Sequence, residues 1–440
     1  MGNVILYTST NGQIVIPNKI DGFDSLIVSN TYSLGVGRLL FNKDITSIKE
    51  YAFCNCKTLK TITLPDSISD IGETAFRGCE ALEKFSFPPK ITIAEYSVFE
   101  MCRNLSVIDL NNVKEIKANA FYGCALKSLT IPSSVSFIGL YAFAYNDRLT
   151  HTRIPKSVKD IEPMAFHNCT GELHIDCDIP RSRAYKNDRM ADSFGGPFYE
   201  SKFHSIYLSD HVTTLGAGAF EQNYLLEKIS FSQHLTKIGF GAFAECRKLR
   251  ELNIPSSVIE IEGGVFDSCQ QIHITIPRSV RKIGKWAFVN TTGILEINTE
   301  VIPEECGYHS RFSTVVFGDN VRVIKYKAFC ENSALKEIHL GCNVENIESF
   351  AFMKTSIHQL ILPNSLRIIK GCAFSECLNL RFVSCQGIVP PDITVETFSK
   401  GPMGIDDDMP DLLNIEVLIP KGCLFEYDNS PWCLFKLQEQ

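Results

Sequence analysis

Cysteine, which occurs 17 times, is the residue type in this sequence that could support the widest range of chemistry. Cysteine thiolates and histidine imidazoles bind zinc when two pairs of ligands occur at suitable spacing. A Cys or a Ser can act as a catalytic nucleophile when a His base and an acidic residue lie beside it. Three candidates each form one pair without a second pair: Cys54 with Cys56, His167 with Cys169, and His174 with Cys177. The sequence therefore predicts no metal site and no catalytic residues.

Two charged segments could bind ions or charged partners. Asp406, Asp407, Asp408 and Asp411 could attract calcium, but the Asp-x-Asp-x-Asp-Gly pattern of a calcium loop is absent, which favours a solvated loop. Residues 181–189 carry four basic side chains and one acidic one, so they could meet an acidic patch or a glycan, or form a mobile surface loop.

The cysteines themselves follow a repeat, since eight of the 17 stand three residues after a phenylalanine. These eight are Cys56, Cys79, Cys102, Cys124, Cys169, Cys246, Cys269 and Cys377, and Asn146, Asn223 and Asn332 hold the same position in other units. A thiol or an amide there is predicted to bond to the turn backbone and fill a small buried space. Stacked side chains about 4.8 Å apart point the same way, which favours free thiols over disulfides.

The repeat is marked by a phenylalanine after a small residue, and 14 of the 30 phenylalanines follow this phase. A typical unit reads Leu126-x-x-Leu129-x-Ile131-Pro132, followed by Val135, Ile138, Ala142 and Phe143. The alternation predicts a short strand that proline ends, then a second extended piece. The Ala-Phe step is expected to form one helical turn. Two variant units are predicted near 170–205, with Phe198 in the phenylalanine position, and near 293–315, with Tyr308 there.

Such units bury their apolar faces only by stacking, so the sequence predicts a repeat solenoid with a cap at each end. Residues 1–35 are expected to form an N-terminal cap with a hairpin at Asn11–Gly12. Residues 36–420 are expected to form about 16 coils. Residues 421–440 are expected to form a C-terminal cap, in which Tyr427, Trp432 and Phe435 cover the open end of the core.

The motif Leu-x-x-Ile-x-Ile-Pro-x-Ser-Val-x-x-Ile-Gly-x-x-Ala-Phe-x-x-Cys resembles the BspA-like leucine-rich repeat, also called the Treponema pallidum type, over roughly residues 36–420. The resemblance implies an α/β repeat solenoid: a right-handed superhelix with a parallel β-sheet on its concave face and short helical turns on its convex face. It also implies a non-enzymatic role, often as a cell-surface adhesin, and a source similar to Bacteroides.

The net charge and the apolar content of the sequence limit the classes of partner that we expect. A net charge of −7 argues against nucleic acid, and no apolar run is long enough to cross a bilayer. The first residues lack the features of a signal peptide. The free thiols favour a reducing, cytoplasmic compartment, whereas the resemblance favours the cell surface or secretion. We expect no cofactor and a monomer.

The outward residues of the predicted sheet are the candidate binding positions, because alternate residues of a strand face away from the core. The stretch with the most varied chemistry contains His151, Arg153, Tyr207, Lys228, Glu251 and Asn253. The expected partner is a protein or a glycan. Three alternatives stay open at this point: a solvated face without a ligand, an intracellular scaffold, and a hydrolase in the insertion at 170–205.

Overall fold

The computed structural model describes residues 2–179, 195–401 and 412–440. The chain forms two compact units, residues 1–232 and 233–440. Each unit is a parallel β-solenoid in which longer and two-residue strands alternate along the chain. Within the described ranges, no helix has the length and apolar character that crossing a membrane requires.

The described residues of the first unit form 18 strands. In chain order they are β1 (Val4–Ser9), β2 (Ile27–Ser33), β3 (Val36–Phe41), β4 (Ser47–Ile48), β5 (Leu59–Thr63), β6 (Asp70–Ile71), β7 (Lys84–Ser86), β8 (Ile93–Ala94), β9 (Val107–Asp109), β10 (Glu115–Ile116), β11 (Ser128–Thr130), β12 (Phe137–Ile138), β13 (His151–Ile154), β14 (Asp160–Ile161), β15 (Thr170–Ile175), β16 (Lys202–Leu208), β17 (Thr214–Leu215) and β18 (Lys228–Ser230). The longer strands pair with one another from coil to coil, and the two-residue strands form separate ladders.

The second unit continues the alternation. Its strands are β19 (Lys237–Ile238), β20 (Glu251–Asn253), β21 (Glu260–Ile261), β22 (Ile272–Ile276), β23 (Lys282–Ile283), β24 (Thr292–Ile297), β25 (Val301–Ile302), β26 (Arg311–Phe317), β27 (Val323–Ile324), β28 (Glu337–His339), β29 (Asn346–Ile347), β30 (Gln359–Leu362), β31 (Ile368–Ile369), β32 (Phe382–Cys385), β33 (Asp392–Ile393), β34 (Glu416–Ile419) and β35 (Lys436–Glu439). Helix α1 (Leu424–Asp428) and a 3-10 turn (Pro431–Leu434) precede β35.

The first strands differ from the rest in direction. Strand β1 lies antiparallel to both β3 and β5, and β2 pairs antiparallel with β3. The hairpin predicted at Asn11–Gly12 is therefore wrong. The hairpin turn lies at Leu34 and Gly35, both of which have positive φ angles. A two-residue turn of this kind matches the twist of the strands that it joins.

The core of the first unit is a continuous pile of phenylalanine rings. Neighbouring rings from Phe53 to Phe220 have centroids 5.2–5.6 Å apart and interplanar angles of 5–24°. This offset stacking is a favourable geometry for aromatic pairs. Phe198 takes its predicted place in the pile, between Phe166 and Phe220.

The predicted helical turns at the Ala-Phe steps are wrong, because these segments bond to the next coil instead. The amide groups of Thr74, Phe76 and Gly78 donate to carbonyl oxygens one coil further on, while those of Ala75 and Arg77 donate three residues back. An α-helix needs consecutive bonds to the residue four positions earlier. Thr74 and Gly78 also have φ angles of +55° and +69°, which interrupt any right-handed helix.

The prediction for Tyr308 is also wrong. The amide of Gly307 donates to the carbonyl of Ala328, the pattern that phenylalanine shows in other coils, so Gly307 holds that position. A Cβ on Gly307 would lie 2.5 Å from the ring of Phe329. The ring of Phe312 contacts Phe288 instead, with centroids 5.8 Å apart. The following strand thus supplies the aromatic ring that this coil lacks.

The position three residues after the repeat phenylalanine, here called the cysteine slot, forms the hydrogen bond that the sequence predicts. Cys79, Cys102, Cys124, Cys169, Cys269 and Cys377 each donate their thiol to the carbonyl of the phenylalanine of the preceding coil, at 3.0–3.2 Å. Asn146 makes the equivalent bond to Phe121 at 2.9 Å. Each thiol therefore both fills space and joins two coils.

Thiol labelling should separate these buried cysteines from the surface ones. All 17 thiols are free, 14 of them are buried, and only Cys342 and Cys433 are exposed. Burial raises the pKa of Cys124 and of Cys169, the latter to about 12, so the reactive thiolate is scarce there. We expect an aromatic disulfide reagent to react rapidly with two thiols in the native protein and with 17 in denaturant. Fast reaction of many native thiols would contradict this packing.

Aromatic rings also lie at the last coil. Trp432 and Phe435 contact the ring of Phe398, with centroids 5.8 and 5.6 Å apart, and Tyr427 packs on Trp432. The hydroxyl of Tyr427 donates to the carbonyl of Gly387, and the indole of Trp432 donates to that of Pro391. Both polar groups are thus satisfied although Tyr427 and Trp432 are fully buried.

Candidate binding face

The candidate binding face is formed by the outward side chains of β11, β13, β15, β16 and β18 in the first unit. These five strands form one parallel sheet with direct cross-strand registers. Inward residues such as Leu129, Leu173 and Ile206 are buried, and this fixes which alternate positions face outward. One outward row runs through Arg153, His174 and Tyr207, and the other runs through His151, Glu172, Ser205 and Lys228.

Four of the six residues predicted for binding lie on this face: His151, Arg153, Tyr207 and Lys228. The other two, Glu251 and Asn253, are exposed ends of β20 in the second unit. Sequence reasoning missed Glu172 and His174, which lie between the predicted positions. Their signal was the alternation Glu-Leu-His, one repeat length after the strand that contains His151 and Arg153.

Three rings form a short row across the face. His151 and His174 have centroids 4.6 Å apart at 44°, and His174 stacks on Tyr207 at 4.5 Å and 18°. Tyr207 keeps 38% of its surface exposed. Because the three strands are hydrogen-bonded to each other, the backbone positions that carry the three rings are fixed relative to one another.

Charge on the face is mixed. The guanidinium of Arg153 donates from Nε and Nη2 to one carboxylate oxygen of Asp176, at 3.1 and 2.9 Å. The Nδ1 of His151 lies 3.9 Å from a carboxylate oxygen of Glu172. Both pairs are partly exposed, so each contributes little to stability but sets the position of its side chains.

Among the described residues, one group of three His, Cys, Asp or Glu side chains is placed to hold a metal ion. It consists of His151, Glu172 and His174, whose ligand atoms all lie within 4.8 Å of one another. Burial, and then the nearby His151, lower the pKa of His174. This shift favours the neutral imidazole, which is the form that binds metals.

A cleft of about 440 Å³ lies on the same side of the longer strands, at β5, β7 and β9. Lys84, Ser86, Asp109 and Asn111 line it. Ser86 and Asp109 are joined by a hydrogen bond of 3.0 Å, so part of its polar surface is already satisfied. The volume is at the lower end for a small-molecule site.

The other candidate residues that the structure describes are buried or hydrogen-bonded within the fold. The thiol of Cys56 donates to the carbonyl of Ile16 at 3.3 Å. His167 is buried, with Nδ1 3.2 Å from the carbonyl of Tyr199 and Nε2 3.3 Å from the hydroxyl of Tyr145. Cys177 is buried beneath the sheet. The basic segment at 181–189 and the acidic run at 406–411 lie outside the described residues.

The chain matches the model of a known family. The model of the BspA type leucine-rich repeat region matches in six copies, over residues 29–150, 138–182, 195–301 and 300–400. This is a repeat family and not a catalytic one. A comparison with curated proteins gives no match.

Solved structures similar to this chain are bacterial leucine-rich repeat proteins. One from Bacteroides ovatus has 21% identity and a TM-score of 0.52, and the match covers 100% of this chain and 99% of that chain. A leucine-rich cell surface protein from Faecalibacterium prausnitzii has 21% identity and a TM-score of 0.37, with 82% and 87% covered. The leucine-rich repeat protein of Treponema pallidum has 21% identity and a TM-score of 0.27, with 40% and 71% covered. The first of these supports the fold.

Proposed function

Because the chain belongs to the BspA-type leucine-rich repeat family, we propose that it is a non-enzymatic interaction module that binds a protein or glycan through its candidate binding face. The observation that carries this proposal is the row of His151, His174 and Tyr207 rings beside Arg153. Tyrosine and arginine are enriched among the residues that dominate binding energy in protein interfaces, and tyrosine offers a large contact area with only two side-chain torsions.

The supporting strands favour a binding role for this row. Each side chain stands on a strand paired on both sides, so little conformational freedom is lost when a partner docks. The flat rings suit a sugar face or an aliphatic side chain equally well. The net charge of −7 disfavours a nucleic acid, and we propose that the chain acts as a monomer.

The test is a binding screen of the intact chain against extracellular-matrix proteins and a glycan array. We expect one class to bind saturably, and the double variant Arg153→Ala, Tyr207→Ala to bind it about tenfold or more weakly, because truncating such anchors costs over 1 kcal/mol each. Lys57→Ala removes an exposed cation from the turn before β5, which is not one of the five strands of the candidate binding face, and it is the matched control. It should leave the affinity unchanged.

Silence across both panels would count against the proposal. So would binding that the double variant leaves intact, since the partner would then contact another surface. Circular dichroism of the double variant shows whether its sheet is preserved, and both substituted side chains are exposed enough for us to expect no change.

An intracellular scaffold is the second candidate, favoured by the 17 free thiols. Cysteine-rich proteins of oxidising compartments usually pair their cysteines, whereas the six slot thiols described above each act singly as a hydrogen-bond donor. Fractionation of the source cell with an antibody to this chain distinguishes the two, since a surface module is accessible to protease on intact cells and a scaffold is protected.

A further inference from the structure

We propose that His151, Glu172 and His174 form a binding site for a zinc-class divalent transition metal ion on the outward face of β13 and β15. The three side chains come from adjacent, directly paired strands, with Glu172 opposite His151 and His174 opposite Arg153. Two imidazoles and one carboxylate are a ligand set that zinc uses in open sites, which keep a fourth position for water or another ligand.

The distances suit a small ion after modest side-chain rotation. The ligand atoms all lie within 4.8 Å of one another, and Nδ1 of His151 is 3.9 Å from Glu172. In a tetrahedral site with bonds of about 2.0–2.1 Å, neighbouring ligand atoms are about 3.3 Å apart. His151 and Glu172 are 45% and 41% exposed, so both can turn toward the ion without disturbing the core.

The residues around His174 support its role as a metal ligand. His174 is held on one side by the ring of Tyr207, which limits its rotation and fixes where its nitrogens point. Arg153, which lies opposite His174 on β13, is bound to Asp176, and this reduces its repulsion of a metal ion.

Nitrogen ligands select the class of metal. Imidazole suits zinc, copper and nickel, whereas calcium and magnesium take oxygen ligands and need more of them. Zinc is the probe of choice, since it has no redox chemistry that would involve the 17 thiols. Any zinc bound here would also stand beside the rings of the candidate binding face, with its open position directed to solvent.

Isothermal titration of the intact, reduced chain with zinc chloride tests the proposal. We expect one saturable site per chain, and no saturable site with calcium or magnesium chloride. His151→Ala and His174→Ala should each abolish the site. Tyr207→Ala should weaken it about tenfold, a typical loss when a residue that orients a ligand is removed. Glu172→Gln, which keeps the shape of the side chain, should also weaken it.

His273→Ala is the matched control. His273 lies on β22 with Nε2 2.9 Å from Glu296 on the adjacent strand, so it offers one imidazole and one carboxylate without a second imidazole. Its substitution should leave zinc binding unchanged. Cobalt(II) gives a second readout, because thiolate ligands produce intense near-ultraviolet bands and nitrogen and oxygen ligands do not.

The proposal would be overturned by wild-type protein that shows no saturable zinc site, by a site that survives both histidine substitutions, or by thiolate bands in the cobalt spectrum. Loss of the site in His273→Ala would also overturn it. Should a histidine variant unfold, Glu172→Gln decides the matter, since an unchanged affinity there removes the carboxylate from the site.

Discussion

Replacing Gly293 by alanine should destabilise the second unit by at least about 4 kcal/mol, a cost expected when strain and backbone overlap combine. Gly293 has a φ angle of +123°, a conformation that L-residues rarely adopt. A Cβ there would lie 2.6 Å from the amide nitrogen of Ile272 and would overlap its carbonyl oxygen. Those atoms belong to β22, which pairs with β24 at this point, so neither strand can move without breaking the ladder. Chemical denaturation followed by circular dichroism measures the loss.

Gly241→Ala in the same unit is the control. Gly241 also has a positive φ angle, +62°, but nothing lies within 4 Å of the position its Cβ would take. Its substitution should cost only the left-handed conformation, about 1–2 kcal/mol. Equal losses at the two glycines would show that close approach of the strands is not what Gly293 provides.

Phe99→Ala should reduce the free energy of unfolding of the first unit by about 3–5 kcal/mol, the usual cost of removing a buried aromatic ring. The ring is fully buried and stacks on Phe76 at 5.3 Å and Phe121 at 5.6 Å. Phe85 and Phe87 also contact it, at 4.5 and 5.8 Å, so a cavity left here borders four rings from three coils. The midpoint and slope of urea denaturation give the change.

Phe240→Ala provides the comparison, since that side chain is 59% exposed and should change stability by no more than about 0.5 kcal/mol. Phe99→Leu keeps most of the volume and should cost less than Phe99→Ala. If Phe99→Ala were as mild as Phe240→Ala, the pile of rings could not be the main source of cohesion between coils.

Much of the fold could be predicted because each coil repeats the same physical solution. The regular spacing of the phenylalanines identified the pile of rings, as Phe76 illustrates. The position three residues later identified the cysteine slot, as Cys79 illustrates. The turn segments could not be predicted in the same way. Thr74 has a φ angle of +55°, and a non-glycine residue gives no sequence signal for that conformation. The neighbouring coil, whose carbonyls receive its amides, imposes it.

The variant coils mark the limit of sequence reasoning for both fold and site. A bulge between Gly171 and Glu172 shifts the register of β15 against β16. The extra residue, His204, lies on β16, and β15 belongs to a unit whose spacing departs from the repeat, so Glu172 and His174 were not among the predicted binding residues. The structure places them between His151 and Arg153 on β13 and Tyr207 on β16.

The antiparallel arrangement of the first strands bears on self-association. A stack of identical parallel coils has an open strand edge at each end, and head-to-tail pairing of such edges generates filaments. Here the edge of β5 is taken by β1, which runs in the opposite direction, and β3 and β2 continue outward in a hairpin. In the second unit β35 takes the edge of β34 and carries Lys436 and Glu439 on its mostly exposed surface. Charged edge residues and reversed strand direction both oppose edge-to-edge pairing of these strands with another copy of the repeat.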